Sequence, residues 1–316
     1  MTVDNYIFEL KDEVARTHVQ YPNRFGITLV GDLYQRKDLD PQQQHPALVI
    51  GAPYGGVKEQ GPGIYAQELA DRGFVVLTFD PSFNGYSGGE PRHVSSPEFF
   101  TEDFSASVDF VGTRPMVDRQ RVGAIGICGS GGFALSAAQV DHRIKAVATV
   151  SMYDISRVQR NGFMDSMTDD ERQAFLDDLG EQRYQDFEQR QPALSGRGAP
   201  IGFDATTDPI GREFGEFYST MRGYHPNSIT QFTATSTMGF VNFSLLTHLK
   251  DIAPRPILLV AGENAHSLYF SEDVAKQAGE PCELYLVPGA GHVDLYDKAA
   301  LIPFTKLEDF FTQNLK

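Results

Sequence analysis

Tryptophan is absent and cysteine occurs only twice, at Cys128 and Cys282. Two cysteines cannot make a disulfide framework, so a small disulfide-stapled scaffold is excluded and reduced thiols are expected. Positive charge is scarce: 27 Lys and Arg stand against 42 Asp and Glu, a net charge of −15. A phosphate backbone would be repelled, which argues against nucleic-acid binding. No run approaches the roughly 18 apolar residues of a spanning helix, so no membrane partner is expected. The opening MTVDNYIFELKDEVA puts two acids and a lysine where the apolar core of a signal peptide would lie. These absences lead to the expectation of a soluble cytoplasmic protein. Neither a G-x-G-x-x-G nor a phosphate-binding loop follows a strand-like segment, so no cofactor is implied. The acids Asp169, Asp170, Glu171, Asp177 and Asp178 show no ligand spacing and read as a solvated helix face, so no metal is implied.

What is present is a globular chain of 316 residues, 41% of them hydrophobic. That length allows one large domain or two modest ones. Residues 5–10 and 26–34 read as strands with no helix between them, hence as an antiparallel edge. PALVIGAP at 46–53 is a short run apolar on both faces, as in a buried parallel strand. Further strands are expected at 74–80, 121–128, 145–152, 256–262 and 282–287. Helices are expected near 61–72, 100–113, 129–139, 271–279 and 298–314. Strands alternating with helices indicate β-α-β units, an α/β class, and a mostly parallel sheet of about eight strands covered on both faces. The stretch 155–250 breaks the alternation. It is polar at first and later aromatic, and it is too long for a loop. It reads as a helical cap inserted after the sixth strand into a core formed by 1–154 and 251–316. The alternative is a helical subdomain that only packs.

The chemistry gathers where the strand at 121–128 runs into Gly126-Ile127-Cys128-Gly129-Ser130-Gly131-Gly132 and then a helix. Strand, sharp turn and helix make up a nucleophile elbow, whose apex needs small residues two before and two after it. Gly126 and Ser130 flank Cys128; Cys128 and Gly132 flank Ser130, so both frames fit sterically. The length of the strand RVGAIG favours Cys128 at the apex. A thiol there, at a helix N-terminus, is expected to have a lowered pKa. Gly129 N–H is one candidate oxyanion donor, and Tyr54, through its N–H or its phenol, is the second. His292, on the Gly-rich loop Pro288–Gly291 after the last strand, is the candidate base. His266 also follows a strand and is a candidate for lining the site. The aromatics at 203–243, Phe240 among them, are candidates for an apolar acyl pocket.

Together these segments resemble the α/β-hydrolase superfamily and, within it, the dienelactone hydrolase-like branch with G-x-C-x-G at the elbow. The resemblance rests on GAPYGGVKEQ, FDPSFNGYSGGEPR, the elbow and PGAGHVDLYD. Here the motif ends in Ser130 where that branch has glycine. The resemblance implies acyl transfer through an acyl-cysteine, with Cys128 as nucleophile and His292 as base. It places the third, acidic residue at Ala265, so an acid is missing there. Glu263, Asp273 and Asp154 are the substitutes, and Glu263 is taken as the third catalytic residue. Capped relatives of this kind include thioesterases and polyketide acyl transferases, while others resemble proline-specific peptidases or cocaine esterases.

Three functions therefore compete. The first is hydrolysis of a small-molecule ester, lactone or thioester. The second is acyl transfer by the same residues. The third is a non-catalytic ligand-binding or thiol redox-sensing role. A homo-oligomer is compatible with the composition.

Overall fold

The computed structural model describes residues 5–316. Eight strands form one sheet: β1 (Val14–Pro22), β2 (Thr28–Arg36), β3 (His45–Gly51), β4 (Val75–Phe79), β5 (Val117–Ile127), β6 (Ile144–Val150), β7 (Ile257–Gly262) and β8 (Cys282–Val287). Their spatial order is β1-β2-β4-β3-β5-β6-β7-β8. The β1–β2 and β2–β4 pairings are antiparallel, and the rest are parallel. This is an α/β-hydrolase fold. The central parallel strands are buried on both faces, β4 and β7 along their whole length, whereas β8 is a partly exposed edge.

The first strand differs from the reading above. Residues 5–10 are not a strand, and β1 lies later, at Val14–Pro22. The early aromatic segment is held by side chains instead. Tyr6 donates to Asp32 Oδ2 at 2.7 Å, and the Phe8 ring sits where a Cβ on Gly63 would be. The last helix also differs. A proline at 303 breaks the expected 298–314 helix, so α10 spans only Phe304–Asn314 and a short α9, Asp294–Asp297, precedes it.

Helices α1 (Gly61–Asp71), α2 (Pro97–Gly112) and α3 (Ser130–Val140) connect the central strands. From β3 the chain moves outward to β4, then crosses back to β5 on the other side of β3. Right-handed crossovers put α1 on one face and α2 and α3 on the other. The loops leaving β3 and β5 therefore diverge and open a crevice at the strands' carboxyl ends, where open α/β sheets place their ligands. Between β6 and β7 lie α4 (Ile155–Asn161), α5 (Asp169–Gln189), α6 (Pro209–Tyr218) and α7 (Thr237–Val241), joined by irregular chain, and α8 (Leu268–Gln277) connects β7 to β8. Helix α5 is polar nearly all round, with Leu179 its one buried residue. It is stabilised locally by a Thr168–Glu171 capping box and acids in its first turn.

The β5–α3 junction leaves no room at Gly126. A Cβ built there would lie 2.1 Å from the Ser130 carbonyl oxygen and 2.6 Å from Gly131 Cα. These are backbone atoms that cannot step aside. Gly126→Ala is expected to destabilise the fold by about 1–3 kcal/mol or more, read as a lower denaturation midpoint in urea. A midpoint equal to the wild type's would contradict this account of the turn.

Candidate active site

Cys128 occupies the turn between β5 and α3 with φ of +55°. This left-handed conformation is costly for a side-chain-bearing residue, and the surroundings enforce it. The Cys128 N–H donates to the Val150 carbonyl (2.9 Å), and its carbonyl accepts from Gly131 N–H (2.9 Å) and Tyr153 N–H (3.0 Å). Ser130 instead lies in the first turn of α3, with its hydroxyl donating to the Ala52 carbonyl. Of the two frames left open by the sequence, the structure puts Cys128 at the apex.

The thiol is only 6% exposed. Burial raises its pKa, against hydrogen bonds from the Tyr296 hydroxyl and the backbone N–H groups of Tyr54 and Gly129, which favour the thiolate. The expectation of a lowered thiol pKa is therefore corrected: desolvation outweighs the helix terminus. Tyr54 and Gly129, the expected oxyanion donors, act on the thiol through their backbone N–H groups, which favour the thiolate. The Tyr54 phenol points elsewhere, to Ser95 Oγ at 2.5 Å, and its ring stacks on Phe232 with centroids 4.1 Å apart.

The Tyr54 loop is anchored by buried charge. Lys58 Nζ lies 3.3 Å from Asp32 and is paired with Glu59, while the Lys58 N–H donates to Asp80 Oδ1 at 2.9 Å. Burial and the neighbouring Glu59 charge push the Asp80 carboxyl up to about 7. Gln60 donates to the Gly223 carbonyl of the inserted segment, tying that segment to the loop.

His292 is fully buried on the loop after β8. Its carbonyl accepts from Ser151 Oγ (2.9 Å), and the next N–H, of Val293, donates to Glu213 Oε1 (2.7 Å). Its Nδ1 lies 2.6 Å from Ser267 Oγ, and its Nε2 lies 2.8 Å from the Tyr296 hydroxyl. Burial first, and the neighbouring His266 second, hold its pKa well below the usual imidazole range.

The acid expected at Glu263 does not reach the imidazole. Its carboxylate is on the surface, accepting from Gly289 N–H at 3.1 Å. Asp273 pairs with Arg157, and Asp154 caps α4 by accepting from Arg157 N–H. The turn after β7 instead presents Ser267, two residues beyond the buried Ala265. A carboxylate is nearby, but it serves the other ring. Glu213 Oε2 lies 3.3 Å from His266 Nδ1, and His266 Nε2 meets the Tyr153 hydroxyl at 2.6 Å. His266 stands over His292 with ring centroids 4.6 Å apart. Phe240 is buried, edge-on to Tyr54, and borders a cleft of about 550 Å³ that also touches Arg157 and Phe270.

Sequence reasoning missed Ser267, Tyr296 and Glu213. Only Tyr296 had a usable mark: its spacing of four from His292 puts both on one side of a helical turn. Among the described residues, no group of three or more His, Cys, Asp and Glu is arranged to hold a metal ion, and no helix is long and apolar enough to cross a membrane.

A strand-ended crevice, a residue held at positive φ and a histidine on the loop after the last strand define the site of an α/β hydrolase. The chain belongs to that family: the alpha/beta hydrolase fold model matches residues 51–299. It is 49% identical to the uncharacterized protein PA2218 of Pseudomonas aeruginosa, over 98% of this chain and 83% of that one. The crystal structure of that protein superposes with a TM-score of 0.96, at 47% identity, covering 100% of this chain and 98% of the other. A thiohydrolase of Aspergillus aculeatus, aneE, is 27% identical over 84% of this chain and 80% of its own. The α/β hydrolase GrgF of Penicillium sp. sh18 shares the fold, with a TM-score of 0.79 at 21% identity over 95% of this chain and 99% of that one.

The buried imidazole makes a prediction. In ¹⁵N-histidine-labelled protein, the His292 ring should keep the shifts of a neutral imidazole from about pH 8 down to below the ordinary histidine pKa of roughly 6.5. A ring that is protonated at pH 6 would overturn the burial argument.

Proposed function

We propose that this chain cleaves a carboxylic thioester, ester or lactone through an acyl-cysteine, with Cys128 as nucleophile and His292 as general base. The observation that carries the reading is Cys128 held at φ of +55° on the turn between β5 and α3, with His292 buried on the loop after β8. When the sulfur attacks a carbonyl, the oxygen develops negative charge, which the Tyr54 and Gly129 N–H groups would take up as oxyanion donors. The thiol proton ends on His292. Collapse of the tetrahedral intermediate expels the leaving group, which takes that proton, and leaves the acyl group on sulfur. His292 then deprotonates a water, which releases the acid and restores the thiol.

Within that class the site favours thioesters. Ser267, a neutral hydroxyl, stands where an acid would steady the imidazolium, so the charged imidazole is weakly supported. An alkoxide leaving group depends on protonation by that imidazolium, whereas a thiolate departs with little help. The thiohydrolase among the relatives is consistent with this preference. The segment 155–250 serves as the cap, and its aromatics suit an apolar acyl group. The same near-closed, aromatic-walled thiol also favours acyl transfer as the second reading, because exclusion of water lets an alcohol, amine or thiol intercept the acyl-enzyme.

The test uses ethyl butyrate and the butyryl thioester of N-acetylcysteamine. Cys128→Ala should abolish turnover of both, and His292→Ala should lower kcat by about 10²–10⁴-fold. Ser267→Ala should cost less than His292→Ala, and Glu263→Gln should leave the rate near wild type. Relative to the wild-type ester rate, thioester turnover should be the faster. A live Cys128→Ala enzyme with a dead Ser130→Ala enzyme would sink the cysteine reading.

A further inference from the structure

A second histidine lies against His292, and it is held from three sides. His266, on the turn after β7, stacks on the His292 ring with centroids 4.6 Å apart and planes 33° apart. Its Nδ1 is 3.3 Å from Glu213 Oε2 on the inserted helix α6, and its Nε2 is 2.6 Å from the Tyr153 hydroxyl on the chain leaving β6. Glu213 turns its other oxygen to the His292 loop, where Oε1 accepts the Val293 N–H at 2.7 Å. It fits there because Gly291 has no side chain: a Cβ on that residue would lie 2.8 Å from Oε1. The next residue on α6, Phe214, sets its ring 5.5 Å from both imidazoles. One carboxylate of the insertion thus meets both the backbone beside His292 and the ring stacked upon it.

We propose that Glu213 is the acid of this site, a positioning residue that reaches His292 through Val293 and His266 and supports the imidazolium formed when the thiol gives up its proton. The proposal rests on the cysteine-hydrolase reading above. The hydrogens follow from the partners. A carboxylate only accepts, so the His266 proton lies on Nδ1, and Nε2 of the neutral ring accepts the Tyr153 O–H. Burial first, and His266 second, weigh against charge on His292. Tyr153, as donor to Nε2, fills the place of a second proton on His266 and keeps two like charges from meeting face to face. The imidazolium then faces a neutral ring with the Glu213 carboxylate behind it. In a buried site that charge acts over more than a contact distance. Support across a stacked ring is weaker than a carboxylate bonded to Nδ1, so the preference for thioesters stands.

Little else competes for the Glu213 charge. Among the described residues no lysine or arginine pairs with it; its ionic contact is with His266. The other carboxylate of the loop, Asp294, accepts from Gly291 N–H at 2.9 Å and is paired with Lys298. Ser267, at His292 Nδ1, supplies a dipole and no charge. The acid expected on the turn after β7 is therefore brought by the insertion, from the opposite side of the imidazole pair.

The test compares wild type, Glu213→Gln, Glu213→Ala, His292→Ala and the Glu213→Gln/His292→Ala double variant at about pH 8, above ordinary imidazole titration. Glutamine keeps the length and an oxygen for Val293 N–H but removes the charge, so it separates support of the imidazolium from holding of the loop. Spectra of ¹⁵N-histidine-labelled protein should show His266 protonated on Nδ1 and bare on Nε2. In Glu213→Gln, where the amide N–H faces Nδ1, the proton should move to Nε2. Alkylation of Cys128 by iodoacetamide, followed by mass spectrometry, should slow about tenfold in Glu213→Gln, and the double variant should be no slower than His292→Ala. With the butyryl thioester, kcat should fall by about tenfold while KM stays within about twofold. A wild-type His266 protonated on Nε2, wild-type rates in Glu213→Gln with only Glu213→Ala impaired, or losses that multiply in the double variant would each overturn the proposal. So would a wild-type thiol no faster than that of His292→Ala. Should Glu213→Ala not fold, the Glu213→Gln rates and spectra decide alone. Spectra and alkylation need no substrate, so the proposal can stand in a protein that cleaves no thioester, and it can fall while Cys128→Ala still abolishes hydrolysis.

Discussion

Everything at this site is aligned on a turn that only a side-chain-free Gly126 permits. Its Cα lies so close to the backbone of Ser130 and Gly131 that strand and helix leave one another almost without a loop. The residue between them is forced to positive φ, with its backbone bonded to Val150, Gly131 and Tyr153. A side chain on such a bend has one direction available. The N–H groups of Tyr54 and Gly129 favour the thiolate there, while burial opposes it. Strain at the turn is held by the doubly buried strands on either side, so the geometry is set by the core and not by the loops.

The second theme is desolvation. Thiol and imidazole are both buried, and for each the charged form is the one disfavoured. Burial therefore favours the neutral pair. In that setting a neutral dipole stands in for a formal charge: the hydroxyl of Ser267 meets His292 Nδ1, where an acid-centred reading looked for a carboxylate. The nearest carboxylate, Glu213, is bonded to His266 and to the backbone of the His292 loop.

Much of this was legible in the chain. β3 and β7 sit where apolar runs placed them, since strands buried on both faces leave little freedom in their sequences, and the partly exposed edge strand β8 followed from the alternation of strands and helices. Cys128 and His292 were singled out because a glycine-rich turn after a strand is a strong local signal, and both lie on such turns after β5 and β8. β1 was misplaced because the aromatics of residues 5–10 resemble a strand but pack through Tyr6 and Phe8 onto other elements. Glu263 was chosen as an acid two residues from Ala265, where the resemblance places one; the direction a side chain takes off a turn is set by tertiary bonds such as Asn264 N–H to the Ala290 carbonyl. Ser267 carries no distinguishing pattern at all. Tyr296 did, through its spacing from His292, but only once the chain there is seen to coil.

The inserted segment grips the short helix α9 that carries Tyr296. Arg222 holds Asp297 through two bonds of 2.8 and 2.7 Å, and Glu213 holds the Val293 N–H of the histidine loop. Lifting the segment far enough to free these contacts would release the loop and helix that orient His292 and Tyr296. The insertion and the histidine loop therefore form one mechanical unit, so that a change at Arg222 reaches the His292 imidazole without touching it.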